Sequence, residues 1–288
     1  MNLLSISAVL RKKCATEILT QKKNIINRYN FHFCSVRDTI TKEVLAMKNL
    51  WHGFECVEFT FEGHDATVVF PKTEPVGKIA IKVEYWNAFP DVEIKLLERG
   101  FYVVGVDNIS RFATKEDCDI KARFLKYIEE EYSVTGKCVP VGMSCGGAHA
   151  LRFAGFYPEL VSCVFVDAPV LNYCSFPGKI GNADCERVWE SEFIKAYPGI
   201  KRYQLLNFKD HPLNMADVLI ENKIPVLMVY GLEDKTVIYE ENGKLLEDAF
   251  DGTGLLTAIA VGCRGHHPHG MIDTEDNEKI ADWIFEHS

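Results

Sequence analysis

The chain has 288 residues, 47% of them hydrophobic and 25% charged, with a formal net charge of −9. That is the composition of an ordinary globular protein, long enough for one large α/β domain or two small ones. The acidic balance lacks the basic stripe that a nucleic-acid partner requires, and no apolar run approaches the length of a membrane-spanning helix.

Residues 1–50 hold nine Lys/Arg and three acids, a net of +6 against −15 for the rest. They are expected to form a basic N-terminal extension, ahead of a single domain over 51–288. The apolar start, 1–10, is short and lacks a small-residue cleavage site, so it does not read as a signal peptide. From Phe54 the pattern turns to strands. Residues 55–61 alternate polar and apolar, Glu62-Gly63-His64-Asp65 is a turn, and 66–71 returns, predicting a β-hairpin with one solvated face. Residues 78–83 form the next strand, followed by the loop Glu84-Tyr85-Trp86-Asn87-Ala88-Phe89-Pro90. A short helix over 92–99 closes on Gly100. The continuous apolar run 101–106 predicts a strand buried on both faces. Ile120, Phe124, Leu125, Ile128 and Tyr132 share one face of an amphipathic helix over 115–132.

The stretch Val139-Pro140-Val141-Gly142-Met143-Ser144-Cys145-Gly146-Gly147 reads as a short strand, a sharp corner and the start of a helix. This is the setting that the G-x-S-x-G nucleophile elbow requires: the corner strains the serine and lifts its hydroxyl clear of the sheet. Gly142 and Gly146 are expected to be small because strand and helix come close there. A further strand spans 160–166 and ends at Asp167. Residues 170–218 break the rhythm. They hold a helical pattern at 186–197 and the aromatics Trp189, Phe193, Tyr197, Tyr203 and Phe208. The segment is read as a small lid over the sheet edge, either shaping a pocket or simply packing. Alternation then resumes with a strand at 224–230, a helix at 239–250, a strand at 255–261 and a closing helix at 275–286. Strands alternating with helices through short connections imply a mostly parallel sheet covered on both faces, with ligands at the C-terminal ends of the strands.

A serine hydroxyl needs a histidine to take its proton, and that histidine needs a carboxylate to fix its tautomer. Here Ser144 is followed by Asp234 and then by His266, the acid and the base each just after a buried strand. Glu233 and Asp167 are rival acids, and His267 is a rival base. His149, inside the helix after the elbow, reads as structural. The ten cysteines form no CxxC pair. They read as reduced thiols of a cytoplasmic protein, and neither a disulfide framework nor a zinc ribbon is expected. The cluster His266, His267, His269 has no acidic or cysteine partner at ligand spacing, so no metal and no cofactor are expected.

Gly142-x-Ser144-x-Gly146, Gly231-x-x-Asp234-x-x-Val237 and Gly265-His266-x-Pro268 together resemble the α/β-hydrolase superfamily over about residues 54–286. The loop 84–90 and the run Gly265-His266-His267-Pro268-His269-Gly270 are similar to small bacterial esterases akin to the prolyl-oligopeptidase-like and acetylxylan-esterase-like hydrolases. The resemblance implies an α/β-hydrolase fold with Ser144 as nucleophile, His266 as base and Asp234 as its orienting acid. It places one oxyanion donor at the N–H of Cys145 and the other in the loop after the 78–83 strand, at Trp86 by position with Tyr85 second. Met143, Phe89, His267 and His269 are expected to line the substrate pocket, with the rings of Tyr85, Trp86 and Phe89 narrowing it. The implied reaction is hydrolysis of a small-molecule ester with a short acyl group, such as acetyl on a carbohydrate. Peptide or amide cleavage by the same triad and a non-catalytic binding role are the alternatives.

Overall fold

The structure, a computed structural model, describes residues 47–288 apart from 133, 135, 186, 272 and 273. The expected basic extension lies outside the described residues as far as 46; Met47–Trp51 forms strand β1, so the sheet begins four residues before the expected start of the domain. β1 pairs antiparallel with β2 (Phe54–Phe61), and β2 with β3 (His64–Val69). The two residues joining β2 to β3, Glu62 and Gly63, both have positive φ, 51° and 88°. That is the turn whose twist matches a two-residue hairpin.

The remaining strands are β4 (Ile79–Lys82), β5 (Tyr102–Val106), β6 (Cys138–Met143), β7 (Val164–Asp167), β8 (Val226–Gly231) and β9 (Leu256–Val261). The nine strands form one sheet in the order β1-β2-β3-β5-β4-β6-β7-β8-β9. β3 meets β5 antiparallel, and from β5 to β9 every pairing is parallel. Strands β5 to β7 read as continuous apolar runs because helices cover both of their faces. On one face lie α1 (Asp91–Glu98) and α7 (Thr274–His287), which bury Val92, Leu96, Leu97, Ile280 and Ile284 against Val103, Val139 and Val229. On the other lie α2 (Lys115–Tyr132), α3 (Cys145–Phe156), α5 (Ala216–Glu221) and α6 (Gly243–Phe250). The expected stripe of α2 is the buried one: Ile120, Phe124, Leu125 and Ile128 pack into this layer while Arg123, Lys126, Glu129 and Glu130 face solvent. Each such buried apolar side chain contributes about 1.5–3 kcal/mol.

After β7 the chain leaves the sheet. Trp189–Phe193 makes one π-type turn that runs into the short helix α4 (Ile194–Ala196), within the stretch expected to be helical. Phe193 is fully buried, with Trp189, Phe112 and Tyr197 each at 5.0 Å between ring centres and Tyr173 at 5.1 Å. These rings form a third apolar cluster together with Cys145, Ala148 and Val237, beside the elbow.

The path from β4 to β5 runs one way along the sheet, and β6 then lies on the other side of β4. That reversal opens a crevice at the C-terminal ends of β4 and β6, where ligands bind in open α/β sheets. The loop 84–90 and Ser144 flank it.

Candidate active site

Ser144 stands between the last residue of β6 and the first of α3, with φ 52° and ψ −121°. This conformation is sparsely populated for a residue with a side chain and costs on the order of 1–3 kcal/mol, held in place by its surroundings. The expected close approach is found at Gly142, whereas the second crowded glycine is Gly147 and not Gly146. A Cβ on Gly142 would lie 2.2 Å from the Gly146 carbonyl oxygen, and one on Gly147 would lie 2.2 Å from Pro169 Cβ. Gly146 itself is less crowded, its nearest neighbour being Glu84 Cβ at 3.3 Å. The close approaches are therefore strand to helix at Gly142 and helix to post-β7 loop at Gly147.

The loop after β8 brings Asp234 alongside. Its Oδ1 accepts the N–H groups of Thr236 at 2.8 Å and Val237 at 2.9 Å. That fixes the carboxylate and leaves Oδ2 to face His266 Nδ1 at 2.7 Å. On the far side of the ring, His266 Nε2 lies 3.0 Å from Ser144 Oγ. With Nδ1–H donating to the carboxylate, Nε2 is left as the acceptor for the serine hydroxyl. Ser144 and Asp234 are each 8% exposed.

The rivals are placed elsewhere. The Glu233 side chain is exposed, and its backbone N–H donates to the Arg264 carbonyl at 2.9 Å. Asp167 is buried against the Arg264 guanidinium, with Nη2 to Oδ1 at 2.6 Å and Nη1 to Oδ2 at 2.9 Å. Burial alone would raise its carboxyl; the His269 and Arg264 contacts outweigh that and hold it below its ordinary value. His267 is exposed and stacks on Phe89, ring centres 5.8 Å apart. Partial desolvation against Phe89 and the loop, and then His266 and His269 nearby, push its imidazole below its ordinary value. His269 is buried, 3.6 Å from Asp167 and edge-on to Phe89 at 5.3 Å. Phe89, Met143 and His269 do come together, with Asp167 and Gly142, around a cavity of about 10 Å³, room for about one water. Among the described residues, no three His, Cys, Asp or Glu side chains are grouped as metal ligands.

Cys145 opens α3, so its N–H has no acceptor within the helix and is free to meet an oxyanion. Its thiol is 1% exposed and pushed up to about 11 by burial, which keeps it protonated and unreactive at neutral pH. In the loop after β4, Tyr85 has a positive φ of 55°, and its hydroxyl accepts from Arg111 Nη1 at 3.4 Å. The Trp86 ring does not narrow the crevice as expected. It packs on Trp51, centres 5.3 Å apart, and lies where a Cβ on Gly105 would sit 2.6 Å away, in the layer under α1.

Several buried charges around these loops were not singled out in the sequence. Lys82, at the end of β4, donates to the Ala88 carbonyl and to Glu93, both at 2.7 Å, and so pins the loop 84–90. Glu84 accepts from Asn108, whose amide oxygen accepts from Lys121; Lys121 in turn lies 3.3 Å from His149 Nδ1, and His149 Nε2 lies 2.9 Å from the Ser110 carbonyl. Burial, and then the Lys121 charge, pushes the His149 imidazole well below its ordinary value, consistent with a neutral structural histidine. A lysine at the end of an otherwise apolar strand, and an arginine one residue before Gly265-His266, were the available signals. Neither Lys82 nor Arg264 has a local partner in sequence, since Glu93 and Asp167 lie 11 and 97 residues away.

A nucleophile elbow after β6, an acid after β8 and a histidine after β9, on a mostly parallel sheet wrapped by helices, define the α/β-hydrolase fold. Solved structures bear this out. The chain is similar to a truncated carbohydrate esterase from gut microbiota, at 19% identity and TM-score 0.61, covering 84% of this chain and 95% of that one. It is similar to an S-formylglutathione hydrolase from Agrobacterium tumefaciens, at 17% identity and TM-score 0.57, covering 85% and 97%. It also matches an acylaminoacyl peptidase from Pyrococcus horikoshii, at 14% identity and TM-score 0.58, covering 88% of this chain. The chain spans only 36–42% of the length of the larger structures it matches. No protein-family model and no curated protein matches it. Among the described residues, no helix is long and apolar enough to cross a membrane.

Proposed function

We propose that the protein is a serine hydrolase of the carboxylesterase type, cleaving esters of small acyl groups. The observation that carries this reading is the continuous contact from Asp234 through His266 to Ser144, at 2.7 and 3.0 Å. Ser144 Oγ attacks the ester carbonyl while His266 Nε2 takes its proton, and Asp234 stabilises the imidazolium through Nδ1–H. The N–H groups of Cys145 and Trp86 hold the oxyanion. His266 then gives its proton to the departing alcohol, leaving an acyl-enzyme on Ser144. Water, deprotonated by the same imidazole, attacks the acyl carbonyl, and collapse of the second tetrahedral intermediate returns the proton to Ser144 and releases the acid. No step calls for a metal or a cofactor.

Esters are favoured over amides because the similar structures that this chain covers almost end to end include a carbohydrate esterase and an S-formylglutathione hydrolase, whereas the peptidase is matched over 42% of its length. The packed aromatic cluster beside the elbow supports a short acyl group, acetyl on a carbohydrate being one such substrate. The described cysteines are free thiols, six of them buried, which supports a cytoplasmic location. The test is labelling by a fluorophosphonate with p-nitrophenyl acetate turnover, for wild type and Ser144→Ala side by side. Labelling and turnover in the wild type alone support the reading. Equal behaviour of the two proteins overturns it, and turnover of peptide amides at rates matching esters would move it to the peptidase class.

A further inference from the structure

Asp167 joins the nucleophile to the base by two different groups. Its backbone carbonyl accepts the N–H of Ser144 at 2.9 Å. Its carboxylate holds the guanidinium of Arg264 through both oxygens and also accepts the N–H of Gly270. Arg264 Nη1 donates to the Gly270 carbonyl at 2.6 Å as well. The segment that carries His266 is thus clamped at both ends, residues 264 and 270, onto the last residue of β7. From its other side, the Arg264 carbonyl accepts the Glu233 N–H at 2.9 Å, one residue before Asp234. The contact is tight in the backbone too, since a Cβ on Gly231 would lie 2.3 Å from that same Arg264 oxygen. The two side chains are almost wholly out of solvent, 0% and 3% exposed. A rigid planar fork on a carboxylate fixes direction as well as distance, which a lysine in the same place would not do.

We propose that Asp167 and Arg264 are positioning residues that set the distance and direction of His266 relative to Ser144 and Asp234. The inference deepens the serine-hydrolase reading and rests on it for its kinetic readouts. The pair touches no reacting atom. It acts by holding three segments in one register: the elbow, the acid loop and the histidine loop.

The test uses the full chain in three forms beside wild type: Arg264→Lys, Asp167→Asn, and the neutral double variant Asp167→Asn/Arg264→Gln. Each is measured for thermal midpoint, for kcat and KM with p-nitrophenyl acetate, for fluorophosphonate labelling rate, and by proton NMR for the low-field resonance of the proton shared by His266 and Asp234. In folded Arg264→Lys, kcat and labelling rate are expected to fall by about 10²-fold, as for a misplacement of about 1 Å, with KM nearly unchanged. The low-field resonance is expected to weaken or vanish with them. A purely structural role would move none of these once corrected for the folded fraction. Variants that keep wild-type turnover and resonance overturn the proposal, and so does a loss that follows only the folded fraction in all three. If wild type itself neither labels nor turns over, the hydrolase reading fails, while the resonance in the variants still decides whether Arg264 sets the His266–Asp234 contact.

Discussion

The strand-end loops that carry Ser144, Asp234 and His266 and the segment that follows β7 draw on different balances of contacts. The loops are held by backbone hydrogen bonds and buried charge: Asp234 by two N–H groups, the histidine segment by Arg264 and Asp167, the 84–90 loop by Lys82. The post-β7 segment adds a cluster of rings, with Phe193 at its centre beside Tyr173, Trp189 and Tyr197, to hydrogen bonds with Asn242, Glu241 and Arg152. Directional contacts fix atoms to within tenths of an ångström, as a proton relay needs. Packed aromatics fix volume and exclude water but tolerate small shifts. The difference matches the proposed roles, with chemistry in the first region and enclosure in the second.

Removing the proposed nucleophile is the largest break. Ser144→Ala is expected to lower kcat by about 10⁴- to 10⁶-fold with little change in thermal midpoint, read by ester turnover and calorimetry. His266→Ala should lose about as much, whereas His267→Ala, which removes only an exposed ring stacked on Phe89, should lose less than about tenfold. A larger loss in His267→Ala than in His266→Ala would move the base to His267.

Phe193→Ala tests the other region. It is expected to cost about 3–5 kcal/mol of stability in denaturant unfolding, with a far smaller loss of turnover than Ser144→Ala. If turnover falls as far as in the serine variant, the segment does more than enclose the site.

A third probe lies between the two regions, at His149. Its imidazole is held well below its ordinary value in the folded protein, so it stays neutral where the unfolded chain takes up a proton. The unfolded state then binds more protons, and stability falls as pH drops below about 6.5. His149→Gln should flatten that part of a thermal-midpoint profile between neutral and mildly acid pH; an unchanged slope would assign it to other groups. The smallest expected effect is at the partly exposed pair between Arg111 Nη2 and Glu192 Oε1, at 2.6 Å. Glu192→Gln should cost about 0.2–1 kcal/mol, diminishing in high salt.

Much of the frame was legible because the signals are local. Continuous apolar runs marked β5 to β7, the 3.6-residue stripe marked α2, and a glycine-flanked serine between strand and helix marked the elbow. The order nucleophile, acid, histidine placed Asp234 and His266 after their strands, and the structure brings both to Ser144. β1 was not legible, because a five-residue edge strand takes its order from pairing with β2 rather than from its own pattern. The crowded glycine after the serine was read as Gly146, whereas Pro169, arriving from β7, makes it Gly147. The Trp86 ring was expected in the crevice, but the absence of a side chain on Gly105 gives it room under α1.

The sequence by itself determined the fold class and the alternation of elements, and narrowed the residues that meet to Ser144, an acid at Asp234 or a rival, and His266 or His267, since periodicity and turn chemistry act over a few neighbouring residues. Only the tertiary structure decided which face each loop side chain takes and which buried charges are paired. Arg264 and Asp167 are 97 residues apart and Lys82 finds Glu93 across the loop it pins. Neither charge could be buried without its partner, and the loop after β9 reaches Asp167 at the end of β7 only once the strands between them have paired.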